Sequence, residues 1–175
     1  AFYLTANRRW GKLSAQAGVR AELAETDLGL YLIGDSYSKE YASLFPSANL
    51  SYDLGGGKQL RLNYSKRVQR PYVFFMNPIN PSTDPLNRQV GNPDLLPMYT
   101  HSFGMDASWN GSMGTLRFAP YYRRTVDAWD QFKTVDDQGV STVTWMNLAS
   151  TESYGANMIA QVRELGPMGG YLSFN

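Results

Sequence analysis

The chain has 175 residues, enough for one domain with a sizeable core, and a formal net charge of +1 that gives no footing for a nucleic-acid partner. It has no cysteine, which excludes disulfides and thiolate metal sites, and a single histidine, which leaves histidine-based metal sites and most acid–base designs short of groups. Mean hydropathy is −0.38 and no apolar run approaches the ~20 residues of a membrane helix, yet strands that alternate lipid-facing and lumen-facing residues cross a membrane without raising the average.

Residues 1–9 alternate weakly, with Phe2, Leu4 and Ala6 on one side, and end in a tight Trp10-Gly11-Lys12 turn. The second strand is clearer. Leu13, Ala15, Ala17, Val19, Ala21 and Leu23 share one face, and Ser14, Gln16, Gly18, Arg20 and Glu22 the other. Period two over that length predicts β structure. Residues 24–43 read as a long polar loop. The third strand sets Ala48, Leu50, Tyr52 and Leu54 against Ser47, Asn49, Ser51 and Asp53. Gly55-Gly56-Gly57-Lys58 turns it into a fourth strand, with Leu60, Leu62 and Tyr64 against Arg61, Asn63 and Ser65.

A second loop runs over 66–97. It holds six prolines (Pro71, Pro78, Pro81, Pro85, Pro93 and Pro97), each forcing extended geometry on its predecessor, and shows no run that predicts a helix. The fifth strand, from about Met98, sets Tyr99, His101, Phe103, Met105, Ala107 and Trp109 against Thr100, Ser102, Gly104, Asp106 and Ser108. After the Asn110–Gly114 turn, the sixth sets Leu116, Phe118, Pro120 and Tyr122 against Arg117, Ala119, Tyr121 and Arg123. Pro120 cannot donate to a ladder, which predicts a bulge or local break. A third long loop covers 127–142. A less regular seventh strand follows, then a Gly166–Gly169 turn and the start of an eighth at Gly170.

Short turns near 11, 56, 112 and 167 alternate with long loops, which is the hairpin rhythm of an outer-membrane barrel. Trp10, Tyr52 and Trp109 lie beside short turns on the apolar parity, and Tyr99 and Tyr122 near the loop end, as two interfacial girdles would. The expected fold is therefore all-β, an antiparallel transmembrane meander of about eight strands forming a single partial domain over 1–175. Two other readings remain: a small closed eight-stranded barrel acting as anchor or adhesin, in which the last strand pairs with the first, and a soluble β-sandwich binding module, in which a second sheet buries the apolar face.

Several groups are candidates for function. Arg20, Glu22, Asp53, Arg61, Asp106, Arg117, Arg123 and Arg163 share the polar parity, either facing an anionic substrate or pairing among themselves along a lumen wall. Lys66, Arg67 and Arg70 precede the proline-rich loop and suit anionic ligands or lipopolysaccharide phosphates. Within the loop, Tyr72, Phe74, Phe75 and Met76 form either a substrate patch or the loop's own small core. Asn77, Arg88 and their amide neighbours bond a ligand or brace turns. No catalytic constellation, cofactor motif or metal set emerges. His101 lacks a serine two residues on, and Asp127, Asp130, Asp136 and Asp137 lack calcium-loop spacing.

One stretch carries a family resemblance. Tyr64-Ser65-Lys66-Arg67-Val68-Gln69-Arg70-Pro71, then Asn77-Pro78, Asp84-Pro85 and Gly91-Asn92-Pro93-Asp94-Leu95-Leu96-Pro97 with Tyr99-Thr100-His101-Ser102-Phe103, resembles the barrel region of TonB-dependent outer-membrane receptors, in particular their outer-membrane β-barrel family. Ala17-Gly18-Val19-Arg20-Ala21-Glu22 resembles a strand of the same family. The resemblance implies a barrel of about 22 strands in the bacterial outer membrane, of which this chain supplies part, starting inside a longer protein and lacking the plug domain. It also implies non-enzymatic uptake of a scarce nutrient (a small molecule, peptide or glycan), powered by an inner-membrane TonB complex. The plug, TonB, outer-membrane lipid and lipopolysaccharide would be its partners.

Overall fold

A computed structural model describes residues 1–30, 34–79, 81–165 and 168–174. It consists of one nine-stranded sheet and a single helical turn. The strands are β1 (Phe2–Trp10), β2 (Leu13–Leu30), β3 (Asp35–Gly55), β4 (Lys58–Gln69), β5 (Asn87–Gln89), β6 (Met98–Gly111), β7 (Gly114–Val135), β8 (Ser141–Leu165) and β9 (Met168–Phe174). The helical turn, α1, is Val73–Met76. Neighbours follow the order β1-β2-β3-β4-β6-β7-β8, with β9 along the lower part of β8. All these pairs are antiparallel; the short β5 alone is parallel, against Ser141–Val143 of β8.

The register carries one parity across the whole meander. Val19 opposes Leu4 on β1, Ala17 opposes Ala48, Leu50 opposes Leu62, Leu62 opposes Met105, and Phe118 opposes Met158. Because side chains alternate across a strand, the apolar set of every strand lands on one face and the polar set on the other. Among the described residues no second sheet covers that apolar face. Leu23 is 79% exposed and Tyr154 82%, and Leu4, Leu44, Leu50, Leu62, Phe118 and Leu172 are exposed with them. This overturns the β-sandwich reading, which needs that face buried. The closed eight-stranded reading fails too: among the described residues β1 pairs only with β2 and β9 only with β8.

The strands are longer than alternation alone predicts. Residues 24–30 pair with 35–41, so much of the predicted 24–43 loop is a strand hairpin. Likewise β7 and β8 pair to Val135 and Ser141, leaving a tight turn where a 127–142 loop was expected. These extensions are polar on both faces in places, so period two fades although the ladder continues. Two positions kink β7 and β8: register shifts lie between Thr125 and Trp129, where Asp127 takes a φ of 56°. Pro120 produces the expected local break without a bulge. The β6–β7 ladder skips Met105 and Asp106 opposite Pro120 and Ala119, then resumes in the same register. The Gly166–Gly169 turn lies largely outside the described residues.

One correction concerns the proline-rich loop. A helical turn forms at Val73–Met76, immediately after Pro71-Tyr72. It is short enough to fit between two prolines, and the Asn77 amide closes it on the Val73 carbonyl at 3.0 Å. The loop crosses from β4 to the far side of the sheet, where β5 joins β8. The main buried cluster of the described residues lies under it: Leu28 and Leu30 from β2, with Met76 and Leu95 from the loop. Tyr37, Phe75, Ile79, Trp129 and Trp145 close around them.

Candidate functional site

Two arrangements have the makings of a site: the polar face of the sheet and the folded loop above it.

On the polar face the charges are mostly matched. Arg70 Nη2 lies 2.7 Å from Glu22, and Arg20 lies 3.4 Å from the same carboxylate while its guanidinium covers the Phe45 ring at 4.5 Å. Asp106 pairs with Arg117 across β6 and β7. Arg61 donates to Gln59 Oε1 at 2.7 Å, and Gln59 donates to Ser51 at 2.9 Å. Arg123 stacks on Tyr121 at 5.0 Å. Tyr121 in turn lies across Gly155, its cross-strand partner, where an added Cβ would sit 2.8 Å from the phenol oxygen. Only a residue without a side chain leaves room for that ring. Asp53 accepts the Gly55 amide at 2.8 Å and so belongs to the turn. The structure thus brings Asp106 and Arg117 together, and ties Arg20 and Glu22 to Arg70. Arg61 and Arg123 are held by neutral neighbours on the same wall.

The loop is built like a small soluble domain. Phe75 is wedged between Trp145, at 4.2 Å between ring centres, and Trp129, at 5.8 Å. Such aromatic pairs are each worth about 0.5–1.5 kcal/mol beyond their burial. Met76 and Leu95 are 2% and 0% exposed. The Gly91-to-Pro97 run explains itself chemically. The Gly91 amide reaches the Asn77 carbonyl at 2.9 Å, so close that a Cβ would fall 2.5 Å from that oxygen. Asn92 donates from Nδ2 to the Trp145 carbonyl at 3.0 Å and accepts the Asp94 amide at 2.9 Å. Leu95 then drops into the core. Asn147 on β8 grips the end of the run, accepting the Leu96 amide at 2.9 Å and donating to the Leu96 carbonyl at 3.1 Å. Trp129 Nε1 donates to that same carbonyl at 2.9 Å. Lys39 reaches Asp94 at 3.1 Å and ties the β2–β3 hairpin in.

The loop residues proposed as ligand contacts therefore separate. Phe75 and Met76 pack inward, and Asn77 braces its turn, accepting the Ile79 amide at 3.0 Å. Tyr72 and Phe74 remain exposed, and Phe74 lines a cleft of about 240 Å³ with Asn77, Ile79, Pro81 and Trp145. Arg88 stands on β5 without an ion-pair partner among the described residues. Farther out, Asn87 Nδ2 and the Leu86 amide donate to Asp84 at 2.8 and 2.9 Å, and these bonds hold its carboxyl below the ordinary value. His101 is taken up by Tyr64, whose hydroxyl lies 2.9 Å from Nδ1. Asp136 closes the β7–β8 turn by accepting the Gln138 and Val140 amides. Among the described residues no group of three metal-ligating side chains converges. Sequence reasoning missed Trp129, Trp145 and Asn147, which hold the loop. The two tryptophans of this hairpin were the available signal.

Residues 1–173 match the outer membrane protein beta-barrel family. The chain belongs to that family. As a family member it is an outer-membrane barrel protein, and solved structures of similar fold agree. The hemophore receptor HasR of Serratia marcescens, solved with its hemophore HasA and heme, superimposes with a TM-score of 0.65 at 16% identity, over 93% of this chain and 31% of that one. The siderophore receptor PirA of Pseudomonas aeruginosa gives 0.67 at 13%, over 98% and 33%. The outer membrane transporter YddB of Escherichia coli gives 0.67 at 14%, over 93% and 21%. The chain thus spans a third or less of the length of these three structures. No curated protein matches its sequence. The resemblance read from residues 64–103 is upheld at the level of family and fold.

Proposed function

We propose that this chain is part of the barrel wall of a TonB-dependent transporter that takes up a scarce nutrient across the outer membrane, without catalysing a reaction on it. The observation that carries the reading is the two-faced sheet. One face is apolar, uncovered and continuous in register; the other is polar and lined by matched charges. A wall between lipid and an aqueous, plug-filled lumen needs that combination. In the full-length protein the plug rests against the face carrying Arg20, Glu22, Arg61, Asp106, Arg117 and Arg123, and lipopolysaccharide surrounds the outer end. The folded loop presents Tyr72, Phe74 and Arg88 to an arriving small molecule, peptide or glycan. Transport draws on the inner membrane through TonB.

The test uses cells. A strain lacking the full-length protein is expected to lose uptake of at least one of heme, ferric siderophores, copper, cobalamin, peptides or oligosaccharides. Collapsing the inner-membrane proton gradient in the parent strain should abolish that same uptake. Uptake that persists without the gradient would sink the energised reading and leave a passive barrel.

A further inference from the structure

The cleft beside the helical turn is walled by groups of two kinds. Phe74, Ile79, Pro81 and Trp145 supply apolar surface, and Asn77 and Gln89 supply carboxamides. Among the described residues no charged side chain lines it. Its rings are set from behind: Phe75 lies against Trp145 at 4.2 Å between ring centres and meets Phe74 edge-on at 5.9 Å. Phe74 is nonetheless 61% exposed. Two donors of the lining residues are uncommitted. Asn77 accepts the Ile79 amide through Oδ1, and among the described residues neither its Nδ2 nor Trp145 Nε1 makes a hydrogen bond. The charges nearby are engaged elsewhere. Asp94 is paired with Lys39 at 3.1 Å, and Asp84 accepts from Asn87 and from the Leu86 amide. Alternation along β5 turns Arg88 away from the face that carries Gln89.

We propose that this cleft binds one ring of an uncharged oligosaccharide, so that the nutrient taken up is a neutral glycan. A sugar ring has an apolar C–H face that packs on an aromatic side chain such as Phe74, and a rim of hydroxyls that accept from Asn77 Nδ2 and Trp145 Nε1. Its lack of charge matches a lining without ions. An anionic iron chelate would leave its carboxylates desolvated there with no cation to pair them. Its size matches as well. At about 240 Å³ the cleft falls below the ~300–1,000 Å³ of pockets that enclose a drug-sized ligand, so it takes one ring and leaves the rest of the glycan outside. A peptide added as a strand would need a longer free edge than the three residues of β5. The inference deepens the transporter reading and rests on it for uptake, but not for binding.

The experiment uses the full-length protein, purified in neutral detergent and titrated calorimetrically with fragments of uncharged α-glucan, β-glucan, mannan and xylan. At least one should bind. Phe74→Ala should weaken that binding roughly tenfold. Phe74→Trp, which keeps a ring at the mouth, should restore it, as it would not if the alanine variant had merely misfolded. Raising the salt concentration should leave the affinity unchanged, because a neutral ligand has no ion pair to screen. Failure of all four fragments to bind, binding indifferent to Phe74→Ala, or binding that weakens with salt would overturn the assignment. So would an uncharged peptide that binds more tightly than every glycan and is lost in Phe74→Ala, because the cleft would then belong to another class of ligand. Uptake by cells carrying the protein separates this failure from that of the transporter reading. Energised uptake of a charged nutrient without glycan binding removes only the cleft assignment. Glycan binding without energised uptake removes only transport.

Discussion

The sheet between the two ends of its apolar band and the loop cluster above it obey opposite rules of burial. In the band, large apolar side chains are exposed on every long strand and almost none is buried. In the loop cluster, Leu28, Leu30, Met76 and Leu95 are buried, with Tyr37, Phe75, Ile79 and the Trp129 and Trp145 indoles packed around them. The difference teaches where each region finds its solvent. The band needs no protein core because lipid takes that role, and its stability comes from the backbone ladders between neighbouring strands. On the proposed reading the loop stands in water. It must enclose apolar surface of its own to offset the entropy of ordering a long connection.

The sharpest way to break this comparison is to cut a leucine in each region. Leu95→Ala should cost the loop about 2–5 kcal/mol, as for a fully enclosed leucine. Amide exchange should rise over 73–97 while the β2–β4 ladder stays protected. Truncating the exposed Leu62 to alanine should leave no comparable cavity. Making it charged should matter far more: Leu62→Arg sits mid-band on the uncovered face and should cost about 2–4 kcal/mol of folding stability in bilayers. If the arginine is tolerated in bilayers, that face does not meet lipid.

A smaller effect sharpens the upper half. Asn147→Ala removes the bonds to Leu96 and to the Asp127 carbonyl, and should loosen the end of the loop by roughly 1–3 kcal/mol, visible as faster exchange at Leu96. The smallest concerns acid. The Asp84 carboxyl is held low by Asn87 and Leu86, so its contribution is fully present above the ordinary carboxyl pKa of ~3.9. It is lost as pH falls through the lower folded-state value. The Leu86 amide resonance should follow that titration, and Asp84→Asn should remove the response.

How far the sequence could be read depended on which solvent a residue meets. Alternation from Leu13 to Leu23 and from Leu60 to Tyr64 announced two-faced strands, because one face must be apolar throughout. It failed at 24–30 and 35–41, and at 128–135 and 141–147, where polar residues interrupt the apolar parity although the ladder continues. Of the candidate site residues, the pairing of Asp106 with Arg117 follows from neighbouring strands. The Glu22–Arg70 bond and the Lys39–Asp94 bond join residues far apart in the chain and follow from no local pattern.

By itself, then, the sequence determined the β class, the two-faced strands, the short turns and the family signature, since period two, glycine turns and proline spacing are local properties of the chain. Only the tertiary structure decided that Phe75 and Met76 point inward, that Trp129, Trp145 and Asn147 receive the loop, and that Phe74, Asn77, Gln89 and Trp145 line one cleft. Each of those depends on register between strands or on a loop crossing the sheet. Such contacts are fixed by the collective burial of the whole cluster, not by any one segment's preference.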